Sequence, residues 1–156
     1  MDKLSDKLVK RFCEYVQIPS ESKHERSFCD KVYSDLKSLG CDAQKFDPPS
    51  DYDIDGYNIY AHIPGNMPGS PVLLCAHLDT VEPGLGIKPK IVNGEIFSEG
   101  DTVLGADDKT GVTAIMCVLQ NVLEQNIPHR DFEILFTVSE EISLNGARLR
   151  QKHYQK

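Results

Sequence analysis

Residues 73–84 read LLCAHLDTVEPG, and the apolar run that opens this stretch, Val72 to His77, stands between Pro71 and the polar pair Asp79-Thr80. A short apolar run with such boundaries is what a strand buried on both faces looks like, so it is expected in the middle of a sheet. The strand delivers His77 and Asp79 to its end, and because they are two residues apart their side chains point the same way. A neutral imidazole there can bind zinc, with Asp79 as the group that fixes its tautomer and basicity. A plain His-Asp surface pair explains the same two residues.

Working outward, Phe132 to Val138 reads as a second buried strand. Between the two, Thr110 to Gln125 places Val112, Ile115, Met116, Leu119, Val122 and Leu123 on one helical stripe, closed by Ile127-Pro128. Upstream, Leu4, Leu8, Val9, Phe12, Cys13 and Val16 recur at helical spacing over Lys3 to Val16. A second helix is expected to start at Ser20 or Ser22 as its cap and to run to about Leu39, with Gly40 as its stop. Cys41 to Phe46 and Tyr57 to Ile63 read as strands, and Asn93-Gly94 predicts a tight hairpin between Ile87–Ile91 and Glu95–Ser98, an excursion from the main sheet. Alternating strands and helices imply an α/β protein, a three-layer α/β/α sandwich with a mixed, largely parallel sheet. Sites in such folds gather outside the carboxyl ends of the strands.

The 156 residues suit one domain. With 24 acidic against 17 basic residues and a net charge of −7, the basic footprint of a nucleic-acid binder is missing, which points to a small polar substrate. No apolar stretch approaches the ~20 residues a membrane helix needs, and the charged N-terminus does not read as a signal peptide, so a cytoplasmic location without membrane association is expected. Five scattered cysteines with no CxxC spacing argue for reduced thiols rather than a disulfide framework or a zinc ribbon.

Two further motifs carry chemistry. In SEGDTVLGADDKTG, residues 98–111, Asp107 and Asp108 open the strong helix. One aspartate is explained as a cap favoured by the helix dipole, but a carboxylate can also bridge two cations ~3.5–4 Å apart. In FTVSEEISLNGA, residues 136–147, a buried strand ends in two adjacent glutamates. Confining them is unfavourable unless a cation compensates, and their environments can then divide the work between a metal ligand and a proton shuttle. A helix start rich in Glu explains the glutamate pair taken singly. Three such clusters at strand ends or a helix start would converge on one side of the sheet.

In this order and spacing, AHLDTVEPG, LGADDKTG and FTVSEEI resemble the peptidase T-like branch of the zinc metallopeptidase superfamily that contains aminoacylase and carboxypeptidase G. The resemblance runs over essentially the whole chain. It implies that His77 ligates one zinc, Asp107 bridges two, Glu141 ligates the other, Glu140 is the general base, Asp79 orients the site and Asp108 supports it. It further implies a short peptide as substrate, cleaved at its N-terminal residue by a metal-bridging water from which Glu140 takes the proton, with Co2+ or Mn2+ as possible substitutes for Zn2+. A non-prolyl cis peptide between Asp107 and Asp108 belongs to the same expectation.

The pattern is incomplete. Members of that branch add an acidic ligand soon after the glutamate pair, a distant C-terminal histidine and an inserted lid domain. The chain is therefore read as the N-terminal part of the catalytic domain, weakly active or inactive by itself, with two protein ligands per zinc instead of three. His153 lies in the polar tail RLRQKHYQK and is a poor substitute ligand, and Ser143 stands where members commonly have Gly. The rival reading is a non-catalytic metal-binding or interaction module on the same fold. A shortened sheet is also expected to expose an edge through which the chain self-associates or takes up a complementing chain.

Overall fold

The computed structural model describes residues 3–150. Along the chain come α1 (Lys3–Val16), α2 (Arg26–Ser38), β1 (Asp42–Phe46), β2 (Asn58–Ile63), β3 (Val72–His77), β4 (Pro89–Val92), β5 (Glu95–Ser98), α3 (Ala106–Glu124), β6 (Phe132–Thr137) and α4 (Asn145–Arg150), with a 3-10 turn at Ser50–Tyr52. His153 lies outside the described residues.

The main sheet is mixed and runs β1-β2-β6-β3. β1 and β2 are antiparallel, as are β2 and β6, while β3 and β6 are parallel, with His77 opposite Thr137. The parallel share is thus one pairing of three, smaller than expected. It is the pairing that counts for the site, because it brings the carboxyl ends of β3 and β6 to the same end of the sheet.

One face of the sheet carries the core. Alternate residues Ile59 and Ala61 of β2, Ile134 and Phe136 of β6 and Ala76 of β3 are buried against Phe28, Val32 and Leu36 of α2 and Val112, Met116 and Leu119 of α3. Tyr15 of α1 joins the same cluster and meets the edge of the Phe28 ring at 5.2 Å between centroids. α2 and α3 thus form a helical layer over this face of the sheet.

β3 departs from its expected place. It is an edge strand among the described residues, not a central one, and it is only half covered: Leu74 and Ala76 face the core while Leu73 is 46% exposed and Cys75 is exposed. The centre is taken by β6, whose Ile134, Leu135, Phe136 and Thr137 are all buried. A six-residue apolar run is compatible with either position, since its outward residues need only be apolar, not covered.

α2 starts later than its serines suggested. Glu25 occupies the N-cap and no side chain caps the helix. The polar side chains ahead of it turn inward instead: the Ser22 hydroxyl donates to Asp79 and Ser20 is fully buried. The far end behaves as expected, with Gly40 at φ 81° just beyond the helix. Asn93 and Gly94, at φ 53° and 85°, form the tight turn of a separate β4–β5 hairpin. No disulfide forms among the described residues, and Cys29, Cys41 and Cys117 are buried. No helix among those residues is long and apolar enough to cross a membrane.

Candidate metal centre

His77 ends β3, and both of its ring nitrogens are engaged. Nδ1 lies 3.0 Å from the main-chain oxygen of Asp79 and 3.4 Å from its Oδ1, and either acceptor can hold the Nδ1 hydrogen. The shorter, main-chain contact is the better hydrogen bond. Nε2 is thereby left as the outward atom, and it meets Oδ1 of Asp107 at 3.0 Å.

Asp107 is brought there by a break in the helix. It has φ −89° and ψ 110°, Asp108 is likewise non-helical, and the peptide bond between them is cis, as the resemblance implied. Regular helix begins at Lys109. The Asp108 carboxylate accepts the Gly111 N–H at 2.9 Å, which is the capping role. Of the two aspartates, one caps and the other points outward, 84% exposed at its side chain, toward His77.

Glu141 completes the group. One ligand atom each from His77, Asp107 and Glu141 lies within 4.8 Å of the others. All three motifs therefore meet at the carboxyl ends of β3 and β6, on one side of the sheet.

Asp79 organises this end of the molecule. Its side chain is fully buried; Oδ1 accepts the Glu140 N–H at 2.8 Å, and Oδ2 accepts the Glu141 N–H at 3.1 Å and the Ser22 hydroxyl at 2.7 Å. Burial alone would raise its pKa, but the His77 ring and these donors prevail and hold it below the usual carboxylate range. Burial likewise opposes the charged form of His77, yet the Asp79 and Asp107 carboxylates, helped by Glu140, lift it to about 9. Glu141 moves the other way: partial burial, then the negative charges of Asp107, Asp79 and Glu140, raise it against the pull of His77. The cluster is thus an excess of carboxylates around one imidazole, the electrostatic setting that a divalent cation relieves.

The donor set suits such an ion. One imidazole nitrogen and two carboxylates are the ligand types zinc takes in catalytic sites, the imidazole is oriented by a hydrogen bond at its other nitrogen, and the cluster opens to solvent through Asp107.

Two buried ionisable residues were not anticipated. Lys109 is fully buried, donates to the Tyr15 and Ile18 carbonyls at 3.1 and 2.6 Å, and lies over the Phe28 ring at 4.5 Å. It ties the end of α1 to the start of α3, and burial pushes its pKa down to about 7. Glu25 is also fully buried, and its Oε1 accepts both the N–H and the hydroxyl of Ser139, at 2.9 and 2.7 Å. Lys109 could have been suspected from its helix position, two residues past Asp107 on the stripe that leads to Val112 and Met116. Glu25 sits in the polar run ESKHER, which reads as a solvated surface.

The chain is similar to known proteins over most of its length. The sequence model of peptidase family M28 matches residues 58–156. The chain is 37% identical over 145 residues to the uncharacterized protein YqjE of Bacillus subtilis, covering 91% of this chain and 38% of that protein. It is 30% identical to a peptidase T-like protein of Yersinia pestis, covering 93% of this chain and 44% of that one. Among solved structures, a tripeptidase from Staphylococcus aureus superposes with a TM-score of 0.88 at 33% identity, and aminopeptidase PepT from Bacillus cereus with 0.87 at 37%. Each of these superpositions covers 92% of this chain and 39% of the other. The chain thus spans about two fifths of the length of the relatives it matches. With more than half of its residues under the family's sequence model and its fold shared with these peptidases, the chain belongs to peptidase family M28.

Proposed function

We propose that this chain carries the metal-binding half of an aminopeptidase that removes the N-terminal residue from short peptides, using two zinc ions. The observation that carries the reading is the convergence of His77, Asp107 and Glu141 ligand atoms within 4.8 Å, from three separate segments of the chain. It is supported by relatives described as a tripeptidase and an aminopeptidase.

In this reading His77, Asp107 and Glu141 would hold the ions, His77 and Glu141 each serving one of them with Asp107 between. Bound there, the ions lower the pKa of water and polarise the peptide carbonyl. The chain supplies the remainder. Glu140 takes the proton from the attacking water and returns it to the leaving amine, and its backbone is fixed for that task by the hydrogen bond from its N–H to Asp79. By accepting from Nδ1, Asp79 leaves Nε2 as the nitrogen that would give up its hydrogen and present a lone pair to a metal. The surplus carboxylates around His77 become favourable once a cation sits among them.

The test is calorimetric titration of the chain with zinc, cobalt and manganese, followed by hydrolysis of a tripeptide panel with each metal. Metal binding that weakens in His77→Ala and Glu141→Ala supports the site. Hydrolysis lost in Glu140→Gln with metal affinity kept supports the role of that glutamate. Binding indifferent to His77→Ala and Glu141→Ala would refute the assignment. Binding without hydrolysis would favour a binding module over a catalyst for this chain.

A further inference from the structure

The turn that presents Glu140 and Glu141 is held from beneath by a second buried carboxylate. Ser139 begins it at φ 52°, the left-handed region that a serine does not favour by itself. Its N–H and its hydroxyl both donate to Glu25 Oε1, at 2.9 and 2.7 Å, and its hydroxyl accepts the Lys23 N–H at 3.3 Å. The next two amides, of Glu140 and Glu141, donate to Asp79. Three consecutive backbone N–H groups thus end on two fully buried carboxyl groups.

Glu25 is built in rather than accidental. It sits at the start of α2, next to Gly56, where an added Cβ would stand 3.1 Å from Glu25 Oε2 and 3.2 Å from its Cβ. Oε2 is buried and meets no hydrogen-bond partner among the described residues. A carboxylate in that state is unfavourable, and a hydrophobic residue would fill the space without that penalty. What a hydrophobic residue could not supply is an acceptor for both Ser139 donors.

We infer that Glu25 is a positioning residue for the candidate metal centre: it fixes the Ser139 turn and so aims Glu140 and Glu141. The inference rests on the roles proposed above for those glutamates only in its consequence for metal and activity; its structural core stands apart from them. The feature that matters is the acceptor oxygen, not the charge, so Glu25→Gln keeps the function and Glu25→Ala loses it.

Amide hydrogen exchange at Ser139, Glu140 and Glu141, followed by NMR on the metal-free chain, tests the core. Glu25→Ala is expected to speed exchange at these three amides by roughly tenfold or more relative to the protected interior of β6, with Glu25→Gln close to wild type. With zinc, Glu25→Ala is expected to weaken binding by about 10- to 100-fold and to alter the visible spectrum of the cobalt-loaded chain, again with Glu25→Gln near wild type. A loss of stability without a change at the site would leave that spectrum unaltered. Wild-type exchange at all three amides in Glu25→Ala overturns the inference. Should that variant not fold, Ser139→Ala decides: faster exchange at Glu140 supports the inference, and unchanged exchange overturns it. If the wild-type chain binds no zinc, the metal reading fails while the exchange result still judges Glu25.

Discussion

Replacing Asp79 by Asn probes the hub of the site without removing atoms. The carboxylate accepts three hydrogen bonds, at 2.7, 2.8 and 3.1 Å, and is shielded entirely from water. An amide in its place keeps one oxygen and turns its NH2 toward the donors at the other. The Ser22 hydroxyl can rotate to accept from that NH2, but a backbone N–H, of Glu140 or Glu141, is left facing a donor. An orphaned buried donor costs about 1–3 kcal/mol, partly offset because an amide is easier to bury than a carboxylate, so Asp79→Asn should lose about 2 kcal/mol. Asp79→Ala orphans all three donors and removes the carboxylate beside His77, leaving only the main-chain acceptor, and should lose about 3–5 kcal/mol. Urea unfolding of the metal-free chain at pH 7, followed by circular dichroism, measures both. NMR titration of His77 adds an independent readout, since its pKa of about 9 should fall toward the ordinary histidine range in Asp79→Asn. Both variants within about 0.5 kcal/mol of wild type, with the His77 titration unmoved, would refute the claim that Asp79 organises the strand ends.

Because His77 titrates near 9 when folded and near 6.5 when unfolded, its contribution to the metal-free chain is complete below about pH 6.5 and lost as pH rises to about 9. Urea midpoints compared with those of His77→Asn across that window check it. Lys109 has the opposite sign: with its pKa pushed down to about 7, the folded chain binds fewer protons than the unfolded one between about pH 7 and 10.5, so this residue makes stability rise with pH there. Lys109→Met should abolish that rise in the difference between the two unfolding curves. Ser143 adopts φ 81°, so Ser143→Gly should stabilise the chain by about 1 kcal/mol, measured by thermal unfolding.

The elements were legible where periodicity carried them. α1 spans the residues its apolar spacing marked out, and the Asn93-Gly94 hairpin and β6 follow their local signals. The meeting of the three motifs was legible because they lie at element ends, where sequence neighbours announce a strand or a helix, whereas the choice of Asp107 and Glu141 within their pairs came from the family resemblance. Sheet order was not, because Val72–His77 and Phe132–Thr137 are equally apolar and only pairing with β2 distinguishes centre from edge. The start of α2 was misjudged because Ser20 and Ser22 carry the chemistry of caps yet are drawn inward by Asp79 and by the tight join to Thr80. Glu25 left no trace in its own neighbourhood: a buried charge is revealed by its partner, and that partner is 114 positions away.

The parallel pairing of β3 with β6 also bears on the order in which the molecule assembles. His77 and Glu141 come together only after two strands, separated in sequence by the hairpin and the whole of α3, have found register with each other. Closing so long a loop is slow and is rewarded late, when the strands zip. A cation therefore has no pocket to enter in the early collapsed chain. Its capture should trail the formation of the sheet and lock a finished scaffold, so added zinc would slow unfolding far more than it hastens folding.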